Sequence, residues 1–247
     1  MDKVLYLAMS GARETMRSQQ AHASNLANAN TTGFKADFSQ ARAMQVYGEG
    51  HASRVYAMAE RPGTNTASGT LIQTGRDLDI AVDGDGWIAV LDANGQEAYT
   101  RAGELQVNQF NQLVTGTGAP VMGNGGIPIT LPPYEKLDIG GDGTITIRPL
   151  GEGAVELAIL DRVKLTRAEP NELFKGLDGL MHTGNNQPLL PAAEVKLRAG
   201  FLESSNVSAV NELTSIIDLA RQFEMHVKMM KTAEDNSTAA ARILQMQ

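Results

Sequence analysis

Apolar positions recur at helical spacing at both ends of the chain and alternate over short runs between them. From Lys3 to about Ala29 there is no proline, and Leu5, Ala8, Ala12, Met16, Ala23 and Leu26 recur three and four apart, with Gln19 completing the row. Such a row is one face of a helix. Asn28, Asn30 and Gly33 tolerate a left-handed backbone, so this helix is expected to stop near Asn30. At the far end Asn206 and Ser208 are candidate caps. Beyond them Val210, Leu213, Ile216, Ile217, Ala220, Phe223, Val227, Met230 and Leu244 again keep helical spacing, with no Gly or Pro between Val207 and Gln247. A helix of that extent is roughly 60 Å long at ~1.5 Å per residue, longer than a small domain is wide, so it must protrude.

Between about Leu71 and Gly200 the pattern changes to short strands divided by turn chemistry. The strand runs are Leu78 to Val82, Trp87 to Leu91, Gly103 to Val107, Gln112 to Thr115, Thr144 to Ile147 and Val155 to Leu165. Asp83-Gly84, Asp85-Gly86, Asn94-Gly95 and Asp142-Gly143 supply the turns, because glycine takes positive φ without a Cβ penalty. Pro128, Pro132 and Pro133 point to edge strands or a crossover near the middle. Residues 34–70, with Gly48, Gly50 and Arg61-Pro62-Gly63, read as an extended connector. The expected fold is α+β, with long terminal helices packed antiparallel in the coiled-coil manner around a central antiparallel β domain. The expected parts are 1–33, 34–70, 71–200 and 201–247.

Two amphipathic helices of unequal length leave a problem of cover. The shorter cannot bury the whole stripe of the longer, so the remainder seeks neighbours, most economically copies or relatives of the same chain. A head-to-tail contact whose rotation does not close builds a helical filament. The first helix also carries Ser18, Gln19, Gln20, Asn25 and Asn28 with few charges, which suits contact on several sides.

Composition narrows the chemistry. With 28 acidic and 21 basic residues the formal charge is −7, and no stretch gathers Lys and Arg into a phosphate-binding patch, so nucleic acid is not an expected partner. There is no cysteine, which excludes disulfides and thiolate chemistry. The apolar stretch Val4 to Met9 is too short for a signal-peptide core, and no stretch approaches the ~20 apolar residues of a membrane span. His22, His51, His182 and His226 are scattered without metal-binding spacing. Asp83-Gly84-Asp85-Gly86 has Asn94 where a calcium loop needs its bidentate glutamate. Gly116-Thr117-Gly118-Ala119-Pro120 offers no helix N-terminus to an anion. No catalytic, cofactor, metal or small-molecule site is expected, and Met225, Met229 and Met230 read as interface packing.

Four segments carry a resemblance. Asn25-Leu26-Ala27-Asn28-Ala29-Asn30-Thr31-Thr32-Gly33-Phe34-Lys35 is similar to the N-terminal signature of the flagellar basal-body rod and hook family. The same family pattern is matched by Gly84-Asp85-Gly86-Trp87, by Tyr99-Thr100-Arg101-Ala102-Gly103 with Gln106-Val107-Asn108, and by Gly200-Phe201-Leu202-Glu203-Ser204-Ser205-Asn206-Val207. Met1 to Tyr6, Arg221-Gln222-Phe223-Glu224-Met225, Trp87 and the length resemble the proximal-rod branch more than the distal one. The resemblance implies a structural rod subunit, not an enzyme. It implies export by the flagellar type III apparatus without a cleaved signal, and assembly in the periplasm with copies of itself and neighbouring rod proteins, including the distal one. It further implies that the helices form the inner layer around the export channel and that the β domain faces outward. The expected subunit interface is the two apolar rows from Leu5 to Leu26 and from Val210 to Met230. The alternatives are a distal rod protein, a secreted β-rich binding module holding a ligand pocket, and a cell-wall hydrolase with a carboxylate or metal centre.

Overall fold

The computed structural model describes residues 4–38, 41–45, 55–59, 63–150, 158–169 and 172–245. Met1 to Lys3, Gly48, Gly50, His51, Arg61, Pro62, the start of the expected strand at Val155 and the side chain of Leu244 lie outside the described residues. Two helices, α1 (Val4–Ala27) and α2 (Ala209–Gln245), bracket an antiparallel β region, and every strand pairing among the described residues is antiparallel. No helix among them is long and apolar enough to cross a membrane.

The chain divides into two compact units. One comprises the described parts of Met1–Ala29, Asp37–Asn65 and Val207–Gln247; the other comprises Asn30–Ala36 and Thr66–Asn206. In the first unit α1 and α2 run antiparallel. His22 on α1 meets Glu212 on α2 at 2.5 Å, while Gly11, three turns earlier, faces His226, so the contacts advance in opposite directions along the two helices. A Cβ at Gly11 would lie 2.4 Å from the His226 ring, which shows how near the ring comes to the α1 backbone. α1 has 24 residues and α2 has 37, so about 20 Å of α2 extends past its partner at ~1.5 Å per residue. From Glu234 to Ile243 every described side chain is exposed.

α1 stops three residues earlier than expected. Asn25, almost fully buried, turns its amide to the backbone beyond the helix: its Nδ2 donates to Asp37 O at 3.0 Å and its Oδ1 accepts from Asp37 N at 2.8 Å. Asn28 N is shared between the carbonyls of Ser24 and Asn25, tightening the last turn. The connector is not merely extended. Ala41–Gln45 pairs with Val55–Ala59, which lies against α1, and Asp37–Phe38 pairs with Gly63–Thr64. α2 starts at Ala209, and Phe201–Glu203 ahead of it is a strand paired with Leu71–Gln73.

The second unit holds a five-stranded sheet ordered Leu165–Thr166, Trp87–Leu91, Glu97–Thr100, Met181–Thr183, Leu173–Lys175. A three-stranded sheet runs Tyr134–Ile139, Thr144–Pro149, Ala158–Arg162. Trp87–Leu91 is apolar on both faces because each face is covered: Ile88 and Val90 join the main core with Ile80, Leu105, Leu113 and Ile145, while Trp87 and Ala89 join a smaller cluster with Tyr99, Met122 and Met181. Of the expected turn glycines, Gly84, Gly95 and Gly143 take positive φ, whereas Gly86 is needed for close approach, since a Cβ there would lie 2.5 Å from Val195. Pro128 sits in an isolated bridge opposite Met122, which suits a residue that cannot donate to a ladder.

Candidate functional site

In the second unit the four similar segments converge on one buried carboxylate. Glu203 lies in the strand Phe201–Glu203 and is 1% exposed. Its Oε1 accepts from Lys35 Nζ at 2.6 Å and from Gly69 N at 2.7 Å, and its Oε2 accepts from Arg101 Nη1 at 2.9 Å. Lys35 Nζ also donates to Ala67 O at 2.8 Å, and Arg101 Nη2 to Gly84 O at 2.8 Å. The Arg101 guanidinium lies over the Trp87 ring, 5.3 Å from its centroid, so Arg101 touches three of the four segments at once. Burial opposes the charge on Glu203, but Arg101, Lys35 and the Gly69 N–H hold its carboxyl below the usual range. Burial lowers the Lys35 amine, with Glu203 pulling the other way.

The backbone comes equally close. Gly33 has φ of +67° and donates its N–H to Glu203 O at 2.8 Å; a Cβ there would lie 2.2 Å from the Arg101 carbonyl carbon. A Cβ at Gly103 would lie 1.6 Å from Ile80 O. Asn206 Oδ1 accepts from Ala36 N at 2.8 Å, and its Nδ2 donates to Ala67 O at 3.0 Å. Lys175 Nζ sits 3.6 Å from the Phe34 ring centroid and donates to Lys35 O at 2.9 Å. The segments that lead out of this unit, around Gly33 to Ala36, Ala67 to Gly69 and Glu203 to Asn206, are thus tied to one another. This is a structural clamp in which each oxygen of the buried carboxylate meets a cationic donor, although Arg101 Nε is buried without a partner among the described residues. A cleft of about 260 Å³ opens beside it, lined by Trp87, Arg101, Asp85, Arg167 and Glu169 with charges of both signs.

The second candidate surface is on the helices. Both expected apolar rows are only partly covered within the chain. On α1, Ala8 and Ala12 are buried and Leu5, Gln19 and Leu26 half-buried within the chain, while Met16 and Ala23 are exposed beside Tyr6 and Met9. On α2, Ile216, Ala220, Phe223 and Met230 are half-buried, whereas Val210, Leu213, Ile217 and Val227 are exposed, as are Met225 and Met229. On α2 the division has a geometric cause: a row drawn at mixed three-and-four spacing spreads over more of the helix circumference than one neighbouring helix covers, whereas the α1 row keeps to one face that is covered along part of its length. Sequence reasoning placed Asn25, Asn28, Thr32, Gly33, Phe34, Lys35, Ser205, Asn206 and Val207 in family segments without roles. It quoted Arg101 and Glu203 as pattern residues only, and their partnership depends on tertiary contact.

The comparisons with known proteins agree with this layout. The model described as "Flagella basal body rod protein" matches residues 5–35, "Flagellar hook protein FlgE/F/G D1 domain" matches 81–147, and "Flagellar basal body rod FlgEFG protein C-terminal" matches 198–243. The Arg101–Glu203–Lys35 clamp takes one residue from each of these three stretches. A rod protein of Salmonella typhimurium is 40% identical over the full length of both chains. The chain belongs to the flagellar basal-body rod and hook family and is a structural subunit of the rod. Within that family it is most like the rod protein FlgF, the name carried by the Salmonella relative, by one of Escherichia coli at 38% identity over the whole of both chains, and by one of Caulobacter vibrioides at 34% over 98% of each. A Bacillus subtilis rod protein named FlgG is 29% identical over 95% of this chain and 96% of its own.

Proposed function

We propose that the chain occupies the proximal part of the rod, with α1 and α2 packed in coiled-coil manner into an inner layer around the export channel and the β unit outward, and that it transmits torque through packing and not through catalysis. Copies of this chain and neighbouring rod proteins, the distal one included, cover the helix faces, after export by the type III apparatus into the periplasm. The single observation that carries this reading is the second apolar face of α2. Val210, Leu213 and Ile217 are 75%, 52% and 46% exposed on the isolated chain although they stand in register on a helix that already has a partner. Burying an aliphatic side chain contributes about 1.5 to 3 kcal/mol, a gain the lone chain forgoes at each position. A face of this kind on an elongated helix suits lateral and axial neighbours.

The test is Ile217→Asp introduced into the flagellated cell. The isolated variant is expected to keep the far-ultraviolet dichroism and the thermal midpoint of the wild type, while basal bodies purified from the strain lack a complete rod and the cells do not swim. Normal rods and normal swimming in that strain would overturn the assignment of this face.

A further inference from the structure

We propose that Asp92, Asp178 and His182 form a divalent-cation site of the zinc class in the β unit, sharing no residue with the clamp or with the helix faces. Asp92 closes the hairpin between Trp87–Leu91 and Glu97–Thr100; Asp178 lies in the turn between Leu173–Lys175 and Met181–Thr183, and His182 is the central residue of the latter strand. Each offers one ligand atom, and the three atoms lie within 4.8 Å of one another. His182 Nε2 is 3.0 Å from Asp178 Oδ2 and 3.2 Å from Oδ1, a hydrogen-bonded contact that need open only to the roughly 3.3 Å between two donors on one tetrahedral ion to admit a metal between them.

Two observations distinguish this group from an ordinary surface histidine and aspartate. First, Asp92 is buried, yet among the described residues no lysine or arginine pairs with it. Its Oδ1 accepts from the backbone N–H of Asn94 at 2.8 Å and of Gln96 at 2.7 Å, leaving Oδ2 with only a 3.4 Å contact to Asn94 Nδ2. A buried carboxylate with a largely free oxygen calls for a cation. Second, the ligands are held from behind. Leu180 N donates to Asp178 Oδ1 at 3.1 Å, the His182 ring lies 5.9 Å from that of Phe174, and Gly176 leaves room for both, since a Cβ there would lie 2.5 Å from Asp178 Oδ1 and 2.8 Å from the His182 ring. Such outer contacts orient metal ligands. Two carboxylates and one neutral imidazole match a small divalent ion of borderline softness better than calcium, which takes six to eight oxygens. The ion would cross-link two hairpins of one sheet, a structural role.

The experiment is isothermal titration of chelator-stripped full-length protein with zinc chloride, with magnesium and calcium chloride as controls. One equivalent of zinc per chain is expected, with no saturable magnesium or calcium binding. His182→Gln and Asp178→Asn are each expected to weaken zinc binding at least 30-fold, and Asp92→Asn, which keeps the turn hydrogen bonds, at least 10-fold. His22, His51 and His226 offer the ion other places to bind. In the wild-type protein, whose fold needs no defence, zinc is therefore also expected to shift the ring resonances of His182 and leave those three unmoved. Absence of stoichiometric zinc binding, binding that survives both His182→Gln and Asp178→Asn, or shifts at the other histidines instead of His182 would each overturn the proposal.

Discussion

Glu203, Lys35 and Arg101 illustrate how a buried charge is tolerated. Each is at most 3% exposed, and each carboxylate oxygen of Glu203 has a cationic donor. Removing one partner leaves another charge buried without it, which typically costs about 3 to 5 kcal/mol. Lys35→Met is expected near the lower end, about 3 kcal/mol, because Glu203 keeps Arg101 and Gly69, and urea denaturation of the full chain measures it. The same group sets an acid limit. Since the folded carboxyl of Glu203 is held below its ordinary value of 4.5, its contribution is fully present above the unfolded value and is lost as pH falls through the folded one. The urea midpoint is therefore expected to drop as the pH is lowered past 4.5, and that of Glu203→Gln, though weaker at neutral pH, to drop less steeply. None of this was legible as chemistry in the sequence. Lys35, Arg101 and Glu203 stand in three segments far apart along the chain, and no local period reports that they meet. Gly33 was read as a helix stop, whereas its positive φ and its contact with the Arg101 peptide make it part of the clamp.

The two helices were the most legible elements, because a 3.6-residue period over many turns is a strong signal. What the single row on α2 did not disclose is that it serves two faces. Ile216 and Phe223 turn toward the chain itself, and Val210 and Ile217 away from it. This separation yields a contrast between neighbours. Phe223→Asp is expected to destabilise the isolated helix pair by about 2 kcal/mol or more, since it places a carboxylate in a half-buried apolar site, while Ile217→Asp is expected to change it by less than about 0.5 kcal/mol. Thermal melts followed by helix dichroism distinguish them, and equal losses would show that both residues face the same partner. The connector hid its strands for a different reason. Ala41–Gln45 and Val55–Ala59 are short, and their alternation is broken by Arg42 and Met44 on one strand and Met58 on the other, which are all exposed.

At the scale of the molecule, the β unit is not a contiguous stretch of chain. A central block from Leu71 to Gly200 matches the periodicity, but it leaves out Glu203 and Lys35 and would keep Arg101 buried beside Trp87 without the carboxylate it pairs with. The compact unit is instead Thr66–Asn206 completed by Asn30–Ala36. Periodicity follows core strands and is blind to a seven-residue segment that contributes a lysine, two backbone N–H groups and a phenylalanine ring. The consequence is testable with three fragments. A fragment of residues 30–206 retains the lysine and is expected to unfold cooperatively; one of residues 66–206 leaves Glu203 and Arg101 without Lys35 and is expected to be less stable by about 3 kcal/mol or more. One of residues 71–200 also lacks the carboxylate and the strand that pairs with Leu71–Gln73, and is expected to be the weakest of the three. Adding a synthetic peptide of residues 30–36 to the second fragment should raise its urea midpoint, because the peptide binds the folded form and not the unfolded one. A 66–206 fragment as stable as 30–206, and indifferent to the peptide, would show that the N-terminal segment decorates the unit without completing it.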